Sequence, residues 1–241
     1  MTMNNNLFIK TQQTAHENNN NFQGNSLNTN NNSLNFKIEN IFCCPIYIAE
    51  KPDYVSSLNK ASDPVIKRIT DRHKKEKLPV PNSYHSENLW IYPEFSAIAN
   101  EIMQQGWNIL SWQGYDLTNR VPMLTELWVQ EFPKEGGFHD IHIHGNNQIS
   151  GFYFLKCSEA TSHPVFHDPR PGKVMTDLLA KDSKKVNYNT NQVHYKVKPG
   201  TFIFFNSYMP HSYIHHKGKE TFRFIHFNMQ AGMDPKSVQK T

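Results

Sequence analysis

Cysteine is scarce in this chain: three in 241 residues, the adjacent Cys43 and Cys44 plus Cys157, with no CxxC and no framework spacing. That excludes a disulfide-stapled scaffold and predicts a reduced, cytoplasmic setting. Apolar runs of about 20 residues are missing, so no membrane span is expected. The N-terminus has no basic-then-apolar pattern, which argues against secretion. Net charge is small, 25 Lys+Arg against 21 Asp+Glu for +4, and does not by itself call for nucleic acid. The length suits one decorated domain with a proper core. What the chain has in excess is histidine: thirteen, ten of them after residue 138. That clustering points toward metal chemistry.

Residues 1–36 are low in complexity, with 13 Asn and few aliphatics. Such a segment cannot bury enough apolar surface to offset its ordering entropy and reads as a flexible tail. Order is expected from Phe36–Ile48, followed over 37–120 by a helical region packed on a core. Ser62-Asp63-Pro64 reads as a helix start, with Asp63 capping and Pro64 at the first position. A second helix after Pro93 carries Phe95, Ile98, Ala99, Ile102 and Met103 at helical spacing, with Gly106 where a C-terminal cap would stand. The basic run Lys67 to Lys77 reads as a solvated face.

From about residue 121 to 230 the pattern changes to short β-type runs: 124–132, 138–144, 149–156, 193–198, 201–206, 211–216 and 221–229. A long insert, 157–192, holds His163, His167, Asp168 and Arg170, and residues 231–241 form a C-terminal tail. The fold class is mainly β with flanking helices, a sandwich or jelly roll.

The chemistry concentrates in GGFHDIHIHGNNQISGFYFL, residues 136–155. On a regular strand, alternate side chains share a face, which puts Asp140, His142 and His144 together and His139 with Ile141 on the other side. Another strand must help complete a metal site, and His211, after Pro210, is the distal candidate. With a hairpin loop centred near 217–218, Arg223 would lie opposite His211, where a guanidinium could grip a carboxylate in two-pronged fashion. Fe(II) on three facial ligands leaves positions for a keto acid and O2. With 2-oxoglutarate as that keto acid, its far carboxylate needs a fixed cation.

The segments HIHGNNQISGFYFL, FHDPR, KPGTFIFFNSYMPHSY and FRFIHFN together resemble a family of 2-oxoglutarate/Fe(II) oxygenases of T4-like phages and marine bacteria, over about residues 38–230. The resemblance implies a double-stranded β-helix (jelly-roll) core and a hydroxylase-type dioxygenase using Fe(II), 2-oxoglutarate and O2. It implies His142 and His211 as iron ligands and Arg223 as the 2-oxoglutarate anchor. The wider superfamily has Asp where this chain has His144, so the third ligand is His144 or, alternatively, Asp140. Ile225 stands where many members have a Ser that helps hold the carboxylate, leaving Tyr153 or another hydroxyl to substitute. Two rival readings share the same histidines. One is a cupin-like metal protein, suggested by Gly136-x5-His142-x-His144-x3-Gln148. The other is a zinc site with one open position. Arg223 with Phe227-Asn228 favours the oxygenase.

Overall fold

The computed structural model describes residues 41–176 and 178–238. The chain divides into two compact units, 1–44 and 45–241. The first is described only at 41–44, so the expected tail over 1–36 lies outside the described residues. The second unit carries the strands β1 (Ile46–Glu50), β2 (Tyr84–His85), β3 (Arg120–Phe132), β4 (His139–His142), β5 (Ile149–Lys156), β6 (Pro164–His167), β7 (Gln192–His194), β8 (Thr201–Asn206), β9 (His211–Tyr213) and β10 (Phe222–Met233). Its two long helices are α1 (Val55–Lys75) and α2 (Ser96–Trp112). Among the described residues no helix is long and apolar enough to cross a membrane.

The strands form two antiparallel sheets: a major one in the order β1-β8-β5-β10-β3-β2 and a minor one in the order β4-β9-β6-β7. Facing sheets of this kind make a double-stranded β-helix. Side-chain alternation then gives the major sheet two different jobs. One face carries Leu127, Val129, Tyr153, Leu155, Phe202, Phe204, Ile225 and Phe227, which pack with Leu58 and Ile66 of α1 and Ile98, Ile102 and Leu110 of α2. The other faces the minor sheet with Phe132, Phe152, Phe154, Phe205, Phe222 and Phe224, each at most 1% exposed. A buried side chain of this size contributes about 1.5–3 kcal/mol, so the barrel interior is a load of aromatic packing as well as a place for polar groups.

Several local readings change. Pro64 does not start a helix but lies inside α1. The helix is started upstream by the 3-10 turn Pro52–Tyr54, with Pro52 at its first position. Pro64 is tolerated because it is exposed, so water can serve the carbonyl left without a donor. Gly106 is interior to α2 rather than its cap. A Cβ there would stand 2.6 Å from Met229 Sδ, so glycine lets the helix close on β10. The stretch 157–192 contributes β6 to the minor sheet, pairing Phe166 with His211. Its Asp168 and Arg170 form an ion pair with each other.

Gly151 has a similar role on the helix-facing side of β5. An added Cβ would meet Phe227 Cζ at 2.2 Å and the Ile203 carbonyl oxygen at 2.4 Å. One of those atoms is backbone, so the clash cannot relax by rotation. Gly151→Ala is expected to cost about 1–3 kcal/mol or more, read as a lowered urea midpoint. An unchanged midpoint would contradict the packing described.

Candidate metal centre

Three of the predicted ligands meet. The ligand-capable atoms of His142, His144 and His211 all lie within 4.8 Å of one another. His211, fully buried, comes from β9, whose pairing with β4 sets His142 directly across from it. The ring nitrogens His144 Nε2 and His211 Nε2 are 3.3 Å apart.

The tautomers can be read from their partners. His142 Nδ1 is 2.8 Å from the Asp140 carbonyl oxygen, and His211 Nδ1 is 3.0 Å from that of Met209. A carbonyl only accepts, so each Nδ1 carries the proton and each Nε2 presents a lone pair. Metal-binding imidazoles are commonly oriented this way. Burial first, and then the neighbouring imidazoles, push His144 down to about 4. Burial also pushes His211 down to about 3, with the neighbouring rings adding to the shift. Both are neutral at physiological pH, as metal binding needs.

His144 is backed by a polar chain that spacing alone did not reveal. Its backbone N–H donates to the Ser207 carbonyl at 3.0 Å. Asn228 Nδ2 lies 3.3 Å from His144 Nδ1 and donates to Glu126, while Asn228 Oδ1 accepts from Ser150 Oγ at 2.5 Å. Ser150 meets the Ser207 hydroxyl at 2.7 Å. The Ser-Gly and Phe-Asn dipeptides of the sequence motif thus have separate jobs, one residue of each supporting His144 and the other packing against the helices.

Other predicted residues go elsewhere. Asp140 is exposed and is not part of the three-residue group, so the alternative third ligand is not supported by the geometry. A bulge lies between His139 and His142, which breaks the expected alternation. His139 therefore turns to the same side, its ring 5.8 Å from that of His142, and Gln130 Nε2 is 3.4 Å from its Nε2. Tyr153 packs against Tyr54 and Phe202, and its hydroxyl donates to the Lys51 carbonyl at 2.6 Å. It faces the helices and not the metal centre.

The largest correction concerns Arg223. β9 and β10 do not form a hairpin: they belong to different sheets, and β10 pairs with β3 and β5. That pairing turns Arg223 toward α1, where it is 3% exposed. Its Nε donates to Glu131 at 2.6 Å and its Nη1 to Asp63 at 2.7 Å. The Arg223 guanidinium beside Asp63 holds that carboxyl below its ordinary range. On the barrel side of the same strand stand Phe222, Phe224 and His226. Among the described residues, those in ring or hydrogen-bond contact with the three imidazoles include Phe152, Phe166, Phe205, His139, His226 and Asn228; none is a lysine or arginine. The three imidazoles offer a ligand set that suits iron, whereas Arg223 is held by Glu131 and Asp63 and not beside them.

Comparisons agree with this fold. Residues 126–228 match the family model "Putative 2OG-Fe(II) oxygenase", a span that holds all three histidines and runs from Glu126 to its hydrogen-bond partner Asn228. No curated protein matches the chain in sequence. Among solved structures it is similar to AviO1 from Streptomyces viridochromogenes Tue57, at 15% identity over 79% of this chain and 90% of that one, TM-score 0.52. It is also similar to the non-heme alpha-ketoglutarate-dependent carbocyclase SnoK from nogalamycin biosynthesis, at 8% identity over 81% of this chain and 86% of that one, TM-score 0.50. At such identities the likeness speaks for the fold.

Arg223 is thus placed as a structural ion-pair residue. Arg223→Ala leaves the Glu131 carboxylate buried without its partner and is expected to cost about 3–5 kcal/mol of stability. Iron binding by the folded fraction should be unchanged. A stable variant that fails to bind 2-oxoglutarate would contradict this placement.

Proposed function

We propose that this chain is a 2-oxoglutarate/Fe(II)-dependent dioxygenase of the hydroxylase type, with His142, His144 and His211 as its iron ligands. The observation that carries the reading is the convergence of three imidazoles inside a 2OG-Fe(II) oxygenase family match. Fe(II) held on three sites leaves positions for 2-oxoglutarate and O2, and the bound cofactors supply oxidative decarboxylation to succinate and CO2 coupled to hydroxylation of a substrate C–H bond.

The chain's own residues have definite tasks in this reading. The carbonyls of Asp140 and Met209 fix the two Nδ1 protons, which aims the Nε2 lone pairs of His142 and His211 at one point. The Asn228–Glu126 and Asn228–Ser150 hydrogen bonds hold the third imidazole in place. Phe152, Phe166 and Phe205 close the back of the centre and keep water from it. His142 and His144 are half-buried while His211 is fully buried, so the open side lies toward β4. The scarcity of cysteine, three in 241 residues with no CxxC, suits a reducing cytoplasm. The order and spacing of the four sequence segments support a grouping with the oxygenases of T4-like phages and marine bacteria.

The test is anaerobic addition of Fe(II), then 2-oxoglutarate, to the purified protein, followed by visible absorption. A weak charge-transfer band is expected in the wild type and none in His211→Ala, which should lose the metal. Iron bound without a band would favour the cupin-like reading. Preference for Zn(II), with no binding of iron, would favour a zinc site.

A further inference from the structure

The barrel interior leaves an unusual set of polar atoms without partners. Both ring nitrogens of His226 and the indole Nε1 of Trp128 are buried and have no hydrogen-bond partner among the described residues. His226 is 3% exposed. Its ring is stacked on Trp128 at 4.7 Å and 21°, and on its other side lies the His144 ring at 4.6 Å and 33°. Phe152 closes one edge at 5.5 Å. The nearly parallel stack keeps the in-plane N–H edges of both rings at its periphery, next to an iron ligand.

Unpaired buried donors are costly, and each such group in a folded protein calls for an explanation. Here the cost falls on two residues beside the metal centre, in a site whose expected guanidinium has turned to the opposite face of the sheet. We propose that His226 and Trp128 form a hydrogen-bonding clamp for an anionic ligand of the metal, doing with ring N–H donors what a guanidinium would otherwise do. The ligand class is a carboxylate or similar small anion bound at the open positions of the three-histidine centre. This deepens the reading of the chain as a 2-oxoglutarate oxygenase and rests on it for the identity of the carboxylate, but not for the clamp itself. The geometry also sets selectivity. A neutral imidazole offers one donor and one acceptor and an indole one donor, so the clamp distinguishes ligands by where they accept hydrogen bonds more than by total charge.

The test uses the full chain loaded anaerobically with Fe(II) and titrated separately with 2-oxoglutarate and with azide, reading the visible absorption of the metal. His226→Phe and Trp128→Phe keep an aromatic ring at each position of the stack and remove its nitrogens. Both should hold iron like the wild type and bind each anion about tenfold or more weakly. Ligand-free His226→Phe should also melt higher, by about 2–4 °C, because an unsatisfied buried group has been removed. A residue kept only for packing would not raise the melting temperature while weakening the anion. Loss of iron in His226→Phe would make it a ligand and overturn the proposal. Unchanged anion affinity in both variants, or a wild-type spectrum that neither anion perturbs, would overturn it too. If the wild type binds azide but not 2-oxoglutarate, and the variants weaken azide, the clamp stands and the co-substrate reading falls.

Discussion

The structure depends on the two-residue period of β10. Held between β3 and β5, this strand sends Arg223, Ile225 and Phe227 to the helices and Phe222, Phe224, His226 and Asn228 into the barrel. Moving its register by one residue would exchange the two sets. A buried guanidinium would then enter the barrel, and the histidine and asparagine beside His144 would leave it. The buried Arg223–Glu131 pair, with Asp63 as a second partner, penalises that slip, because the charges would lose one another on the way. An interaction that looks catalytic in the sequence thus serves to specify which side of the strand does chemistry.

Within the barrel, positioning is done mostly by backbone carbonyls and uncharged side chains. Two imidazoles are oriented by main-chain oxygens in their own strand regions, and the third by a serine–asparagine–glutamate chain drawn from β5, β10 and β3. The elements that hold the three histidines are therefore strands of the two sheets themselves. Rigidity of the centre follows from the fold, in keeping with the need for a preorganised ligand set. The aromatic packing of Phe152, Phe166 and Phe205 on His211 closes that side of the three-histidine group.

Much of this was legible in the sequence. β5 and β8 run over 149–156 and 201–206, as expected, because each is bounded by turn residues and dense in apolar side chains. The histidines at 142, 144 and 211 were recoverable from spacing, since H-x-H on one strand and a histidine after a turn need only one antiparallel pairing to meet. The failures have physical causes. The bulge before His142 could not be read from alternation, which assumes a regular strand, and so His139 was sent to the wrong face. A hairpin at 217–218 would set Arg223 opposite His211, but the chain there crosses from the minor to the major sheet. β6 is only four residues long and was lost within a polar stretch. His226, the residue with the most unusual surroundings, carried one faint signal: a polar residue within FRFIHFN, at the alternate position shared with Phe222 and Phe224.

If His142, His144 and His211 hold an iron that works with 2-oxoglutarate, the protein must turn the co-substrate over once O2 is present. Succinate formation tests it most directly. The protein is loaded anaerobically with Fe(II) and 2-oxoglutarate, and succinate is quantified after O2 is admitted, without any added primary substrate. Slow, iron-dependent succinate release is expected, and it should be abolished in His211→Ala, because uncoupled decarboxylation needs only the metal, the co-substrate and O2. Iron bound at one equivalent with no succinate formed above the His211→Ala background would contradict it.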